Sequence, residues 1–209
     1  MERRSGLDTD RVETLADGVF AIAMTLLVFA ISVPELSGSA LDRLPMSLLN
    51  LWPKLLAYVL SFVVLGVFWI GHHNQFFYIR RASRTFLWIN ILFLMFVAFI
   101  PFSAQLLGRY PGQRVAVILY GLNMIVVGLS LYLVWWYATS SHRLVDPDLN
   151  RATIGIATRR ILSGPVAYAF AIVVSLLSVP AALVIIALVP LLYILPARID
   201  RVLSGVRRS

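Results

Sequence analysis

The sequence predicts an all-α integral membrane protein with six transmembrane helices per subunit. Apolar residues make up 60% of the 209-residue chain, charged residues only 13%, and the mean hydropathy is +0.86. A chain with so few polar side chains cannot cover a soluble domain of this size. The apolar residues also fall in runs of about 20, the length that a helix needs to cross a bilayer. We therefore expect residues 1–209 to form a single transmembrane domain.

Six apolar runs are candidate spans. They lie near Leu15–Val33, Leu51–Gly71, Phe86–Leu107, Val115–Tyr137, Ile161–Leu177 and Val179–Ile199. The last two runs are adjacent and together too long for one crossing, so we expect a tight turn near Ser178-Val179-Pro180, where proline lacks the helical donor. Pro190 falls inside the sixth run and is expected to kink it.

The basic residues predict the orientation of the chain. Fourteen of the 18 lie in the amino terminus, the second and fourth loops and the carboxyl tail, and the other four lie on the opposite side. By the positive-inside rule both termini are cytoplasmic, in a protein that crosses the plasma membrane several times. The net charge of +8 therefore indicates membrane topology and not binding of nucleic acid. The chain has no cysteine, which excludes disulfides and thiolate metal sites.

Several polar side chains lie at a similar depth near the cytoplasmic ends of the first three spans. Arg11 precedes Asp17 by six residues, about 9 Å along a helix, and an arginine side chain bridges much of that distance. We expect a structural network in which Asp17 is held by Arg11, a histidine and Asn90. The alternative is a proton relay or a metal site. Adjacent His72 and His73 point about 100° apart, so they do not readily share one ion.

A second face of the first span is apolar. Asp17 lies about 140° around the helix from Ile22, so its carboxylate points away from this face. The residues of this face form a stripe along the helix: Gly18, Ile22, Thr25 with Leu26, Phe29 and Val33. On its own, the stripe is explained by ordinary helix packing or lipid contact, with the Thr25 hydroxyl bonded to the carbonyl of Ala21.

Three segments resemble a known family. RVETLADGVFAIAMTLLVFAISVP resembles the first-helix signature of the endosomal/lysosomal potassium channel family (transmembrane protein 175 type), which is Arg, three residues, Phe-Ser-Asp-Gly and an Ala-Ile…Thr-Leu-Leu-Val run. FWIGHHNQFFYIRR resembles the Trp…His-His segment of its second helix, and FLWINILFLMFVAFIPFSAQLLGRY its third helix and loop. The resemblance covers Arg11 to about Tyr110, whereas the second half agrees mainly in the number of spans.

The resemblance implies a homotetramer in which the first helix of each subunit lines a central pore in the lipid bilayer. Potassium passes preferentially over sodium, with no enzymatic activity and no cofactor beyond the permeating potassium ions. It implies that Ile22 forms the narrowest hydrophobic ring, Leu26 and Phe29 the next rings, and Thr25 the layer linked to potassium preference. The residues implied for the polar network are Arg11, Asp17, His72, His73 and Asn90.

The chain departs from the family signature at Leu15-Ala16, which stand where the family has Phe-Ser. Ala16 removes a hydroxyl from the network, so the hydrogen bonds of that serine do not transfer to this chain. There is also no Thr-Val-Gly-Tyr-Gly loop. Selection of potassium would therefore use the Thr25 hydroxyls, helix carbonyls and ordered water in place of a carbonyl filter.

Two other classes compete with a channel. A proton-coupled secondary transporter would use Asp17 and the histidines of the second helix, but it predicts interrupted helices or paired repeats, which the sequence does not suggest. An intramembrane hydrolase needs a nucleophile with a base, or a second acid at membrane depth as partner for Asp17. The sequence offers neither arrangement.

Overall fold

The computed structural model describes residues 9–36 and 38–194, which fold into helices joined by short turns. Five helical stretches are long and apolar enough to cross a membrane, and Val179–Ile194 is a shorter apolar stretch. The predicted all-helical class with several apolar helices is confirmed. The helices are α1 (Thr9–Leu26), α2 (Leu44–Leu49), α3 (Trp52–Tyr78), α4 (Arg84–Ala98), α5 (Ile100–Arg109), α6 (Arg114–Thr139), α7 (Arg151–Ser175), α8 (Val179–Leu188) and α9 (Leu191–Ile194).

The first span is longer than predicted and changes geometry near its end. α1 begins at Thr9, before the apolar run, and a 3-10 turn over Leu27–Ala30 follows directly after Leu26. The helix buries one face at the spacing of an amphipathic helix, with intervals of three and four residues. The buried residues on this face are Val12, Ala16, Phe20, Ala23 and Leu27.

The third predicted span, Phe86–Leu107, is divided into α4 and α5. The peptide nitrogen of Pro101 has no proton to donate to the preceding turn, which interrupts the helical ladder at this point. The chain tightens around Phe99, whose N–H donates to the carbonyl of Phe96 at 3.2 Å, and the ladder resumes when the N–H of Ser103 donates to the Phe99 carbonyl at 3.3 Å.

The fifth span begins ten residues earlier than predicted. The side chain of Asn150 caps α7 by accepting from the N–H of Ala152 at 2.9 Å, so the helix starts at Arg151. A fifth span that began at Ile161 would leave Arg151, Arg159 and Arg160 in the fourth loop, among the 14 basic residues counted there and on the same side. That placement in a loop is wrong, because all three lie on α7.

The predicted turn between the fifth and sixth spans is confirmed. α7 ends at Ser175, and the hydroxyl of Ser178 accepts from the N–H of Ala181 at 3.4 Å where α8 begins. Pro190 separates α8 from α9, a larger change than the expected kink. Residues 195–199 of the predicted sixth span lie outside the described residues, as do Arg3, Arg4 and the arginines of the carboxyl tail.

α6 is the central helix of the described chain. It packs against α4, α5, α7 and α8, whereas α1 packs against α3, α4 and α5. The second and fourth loops meet at one end of the bundle, where Ile79 and Val145 form an antiparallel bridge and the N–H of Arg80 donates to the Leu144 carbonyl at 2.8 Å. This contact places the two arginine-containing loops on the same side, as alternating spans require.

Candidate functional site: the exposed face of α1 and its polar contacts

The apolar stripe predicted on the first span lies on the face of α1 that the chain leaves uncovered. Ile22, Leu26 and Phe29 are 61%, 45% and 74% exposed. Gly18 and Val33, at the two ends of the stripe, are also exposed. The opposite face, centred on Phe20, is buried in the core of the chain. α1 therefore has a row of apolar side chains that no other part of the described chain covers.

Thr25 places a hydroxyl within this stripe. Its Oγ1 donates to the carbonyl of Ile22 at 2.8 Å, one residue away from the Ala21 carbonyl expected from the sequence. Because a hydroxyl has one proton and two lone pairs, this bond uses the proton and leaves the oxygen able to accept. The side chain is exposed. A cation that passed along the stripe would meet this oxygen among aliphatic groups.

Two acidic side chains of α1 face two aromatic side chains of α3, and we call this set the α1–α3 clamp. The indole Nε1 of Trp69 donates to Oδ1 of Asp17 at 2.7 Å. Nδ1 of His73 lies 3.9 Å from Oε2 of Glu13, a contact that becomes an ion pair when His73 is protonated. The rings of Trp69 and His73 stack with centroids 5.8 Å apart. Each pair is spaced four residues apart on its helix, so the two rows are in register.

A second polar contact lies inside the bundle. Nε2 of His72 donates to Oδ1 of Asn90 at 3.1 Å, and Nδ2 of Asn90 donates to the Phe86 carbonyl at 3.0 Å. Both side chains are buried, and the imidazole stacks on Phe93 with centroids 5.3 Å apart and planes 5° from parallel. The bond joins α3 to α4 behind α1, where Phe20 also contacts the imidazole ring.

The structure therefore divides the predicted polar network into two parts. His72 and Asn90 bond to each other, and neither of them bonds to Asp17 as the prediction had it. Asp17 contacts Trp69 and not Arg11, which is exposed at the start of α1. The sequence interpretation assigned no role to Glu13 or Trp69, although their spacing of four residues from Asp17 and His73 places each pair on one helical face.

The described residues contain no group of three or more histidine, cysteine, aspartate or glutamate side chains that could hold a metal ion. The α1–α3 clamp contains two carboxylates on α1 and one imidazole on α3. Its shortest polar contact joins the Asp17 carboxylate to the indole N–H of Trp69. Since an indole nitrogen only donates, it does not act as a metal ligand. The geometry of these residues fits a link between helices.

Comparison with known proteins identifies the family. The sequence profile described as "Endosomal/lysosomal potassium channel TMEM175" matches residues 11–101. A protein from Streptomyces collinus, named a potassium channel, is 34% identical over 190 residues, which cover 89% of this chain and 91% of that protein. The chain belongs to the TMEM175 potassium channel family. A TMEM175-family protein is a membrane channel and not an enzyme.

Two further comparisons agree with this assignment to the TMEM175 family. A potassium channel from Chamaesiphon minutus is 37% identical over 175 residues, covering 82% of this chain and 86% of that protein. The crystal structure of a lysosomal potassium-selective channel TMEM175 homologue from the same organism superimposes with a TM-score of 0.80 at 33% identity. The superposition covers 90% of this chain and 96% of that chain, so the TMEM175 fold extends well beyond the matched segment 11–101.

Proposed function

We propose that this protein is a potassium-selective channel in which four subunits surround a pore lined by α1. Potassium moves passively through the pore of the homotetramer, six helices per subunit span the plasma membrane, and both termini are cytoplasmic. The proposal is supported by the names of the bacterial relatives and by the similarity to a structure titled potassium-selective. No cofactor takes part other than the permeating potassium ions.

The observation that carries the proposal is the exposed stripe on α1. Lipid contact would account for the exposed aliphatic residues, whereas the Thr25 oxygen among them can still accept a hydrogen bond, which suits contact with a hydrated ion better than contact with lipid. A hydroxyl oxygen that can accept, flanked by apolar rings, suits conduction of a cation.

The rings of Ile22, Leu26 and Phe29 would control conduction through their width. Four copies of an aliphatic side chain around a narrow axis exclude water, and a slightly wider arrangement admits a hydrated ion. The four Thr25 hydroxyl oxygens would then be the polar ligands nearest to the ion within the stripe, and they would favour potassium over sodium weakly or moderately because neutral oxygens replace only part of its hydration shell.

The α1–α3 clamp and the His72–Asn90 bond would set the rotation of α1. Adjacent residues on a helix point about 100° apart, so a rotation of α1 by one position would replace Ile22 at the axis by a neighbour. The Asp17–Trp69 bond opposes such a rotation at one end of the helix. In this role the polar residues position the pore face, and they do not themselves relay protons, as the alternative transporter mechanism would require.

Single-channel recording from purified protein in planar bilayers tests the proposed function. With potassium opposed to sodium, we expect passive current that reverses towards the potassium equilibrium potential. A proton-coupled transporter would instead give flux that depends on a pH gradient. Measurement of the mass of the detergent-solubilised complex by native mass spectrometry tests the tetramer directly.

A single-cysteine variant tests the pore face. Because the chain has no cysteine, Ile22→Cys introduces one thiol per subunit. We expect a charged, water-soluble thiol reagent to block its current. Val166→Cys is the matched control, since Val166 of α7 is 68% exposed, about as much as Ile22. Block of both variants, or of neither, would contradict a pore lined by α1.

A further inference from the structure

Lys54 brings a positive charge close to the end of the exposed α1 stripe. It lies in the first turn of α3, and its Nζ donates to Oγ of Ser32 at 3.0 Å. Ser32 follows the 3-10 turn that carries Phe29 and immediately precedes Val33, the last residue of the stripe. The ammonium group is therefore one hydrogen bond away from the backbone segment that ends the proposed pore.

Close packing against α5 fixes the base of the Lys54 side chain. A Cβ atom at Gly108 would lie only 3.3 Å from the Lys54 Cα and 3.1 Å from the Ala57 Cβ. The first turn of α3 therefore lies directly against the backbone of α5, and glycine permits this approach. With its Cα held there and its Nζ bonded to Ser32, the charge of Lys54 has a defined position.

This charge is not neutralised within the described chain. The partner of Lys54 is a neutral hydroxyl, and none of the carboxylates in residues 9–36 and 38–194 forms an ion pair with it. The exposed Glu35, three residues after Ser32, forms no ion pair with Lys54 in the described chain, so each subunit keeps an ammonium group at the Ser32 end of the stripe.

We propose that Lys54 makes the channel rectify by depleting potassium at the Ser32 end of the pore. This inference rests on the proposed function and deepens it. Four subunits would place four ammonium groups around this mouth and repel cations that arrive from that side. Cations that arrive from the other side would not meet this ring of charge before entering the pore. Potassium current would therefore be smaller when it flows inward from the Ser32 end.

The salt dependence distinguishes this electrostatic role from a tether between α3 and the end of α1. The Debye length is about 30 Å at 0.01 M salt and about 3 Å at 1 M, so a charge effect is strong in dilute salt and is screened in concentrated salt. A tether acts equally at both concentrations. Lys54→Gln separates the two roles because its amide still donates to Ser32 but carries no charge.

The test records single-channel currents in symmetrical potassium chloride at low and high concentration. For Lys54→Gln we expect current from the Ser32 end to rise at least about twofold in dilute salt, with loss of rectification, and to match the wild type in concentrated salt. Lys54→Arg keeps the charge and should rectify like the wild type. Arg109→Gln is the matched control, because Arg109 ends α5 on the same side but contacts Tyr110.

Three results would overturn the inference while leaving the channel assignment intact. These are no change for Lys54→Gln in dilute salt, a change of equal size at both salt concentrations, and an equally large change for Arg109→Gln. The second result would show a tether, and the third a diffuse surface charge. Failure of the proposed function looks different, since the wild type itself would then pass no potassium current, and the inference would fall with it.

Discussion

α1 and α6 are both apolar helices of spanning length, but their own chain covers them to very different extents. The most apolar 18-residue windows of the two spans have mean hydropathies of 1.8 and 2.2, whereas 28% of the α1 window and 56% of the α6 window are buried. Hydropathy is therefore similar and burial differs twofold. The comparison shows that hydropathy locates spans without showing which surface each span faces.

The difference has a cause in the side chains. α6 carries Gly121 and Gly128 on the side that meets α7, and close approach of the two helices follows because each glycine removes the atoms that would separate them. α1 buries Phe20 on one face and exposes Phe29 on the other, so its own chain leaves half of its surface uncovered. α6 therefore lies inside the fold of the chain, whereas α1 keeps one face free for the pore of the proposed tetramer.

The largest expected effect separates the two faces of α1. Phe20→Ala removes a ring that is 1% exposed, and we expect it to lower the free energy of unfolding by about 3–5 kcal/mol through lost contacts and the cavity left behind. Phe29→Ala is the control with the same chemistry on the exposed face, and it should leave stability nearly unchanged. Thermal unfolding in detergent, followed by tryptophan fluorescence, measures both. Equal losses would contradict the division of α1 into two faces.

A smaller loss of stability is expected at the contact between α6 and α7. A Cβ atom at Gly128 would lie 2.6 Å from Cγ of Pro165, a ring that has little freedom to move away. Gly128→Ala should therefore cost about 1–3 kcal/mol by overpacking, measured in the same unfolding experiment. Gly155→Ala on α7 is the control, because nothing lies within 4 Å of the added atom, and it should be neutral or stabilising. The same loss in both variants would remove overpacking as the cause.

Much of the fold follows from the sequence, and the exceptions have physical reasons. The class and the turn at Ser178 were predictable from the length of the apolar runs and from a proline where a new helix begins. The division at Phe99 was missed because one proline hardly changes the hydropathy of a long run. The early start of α7 was missed because its first turns carry Arg151, Arg159 and Arg160, whose charges lower hydropathy without preventing a helix.

The site was predictable where it depends on one helix and less so where it depends on two. The stripe on α1 follows from the spacing of its own residues, and the structure exposes it. The partner of Asp17 is Trp69, 52 positions away on another helix. Nothing in the local sequence of either helix selects that pair over Arg11, which is nearer to Asp17 along the chain. Only the packing of α1 on α3 decides it.

A third variant tests whether the α1–α3 clamp stabilises the uncovered helix. Trp69→Phe keeps an aromatic ring that can stack on His73 but removes the N–H that donates to Asp17. Because this hydrogen bond is exposed, we expect the free energy of unfolding to fall by only about 1 kcal/mol. Asp17→Asn should cost less, since its amide oxygen still accepts, and should weaken the tetramer more than conduction. Trp88→Phe on α4 is the control, as Trp88 is an exposed ring. Strictly additive losses in the Trp69→Phe, Asp17→Asn double variant would contradict a coupled pair.

The smallest expected effect concerns selectivity at the exposed face. Thr25→Ala should leave assembly intact, because the hydroxyl bonds only to its own helix, and should lower the potassium-over-sodium permeability ratio about two- to tenfold, the range expected for one lost polar contact. The reversal potential with potassium opposed to sodium measures this ratio. Thr14→Ala is the matched control, since the exposed Thr14 hydroxyl also donates to its own helix, at the Asp10 carbonyl, but lies outside the stripe. An unchanged reversal potential for Thr25→Ala would show that helix carbonyls or water, and not this hydroxyl, discriminate between the ions.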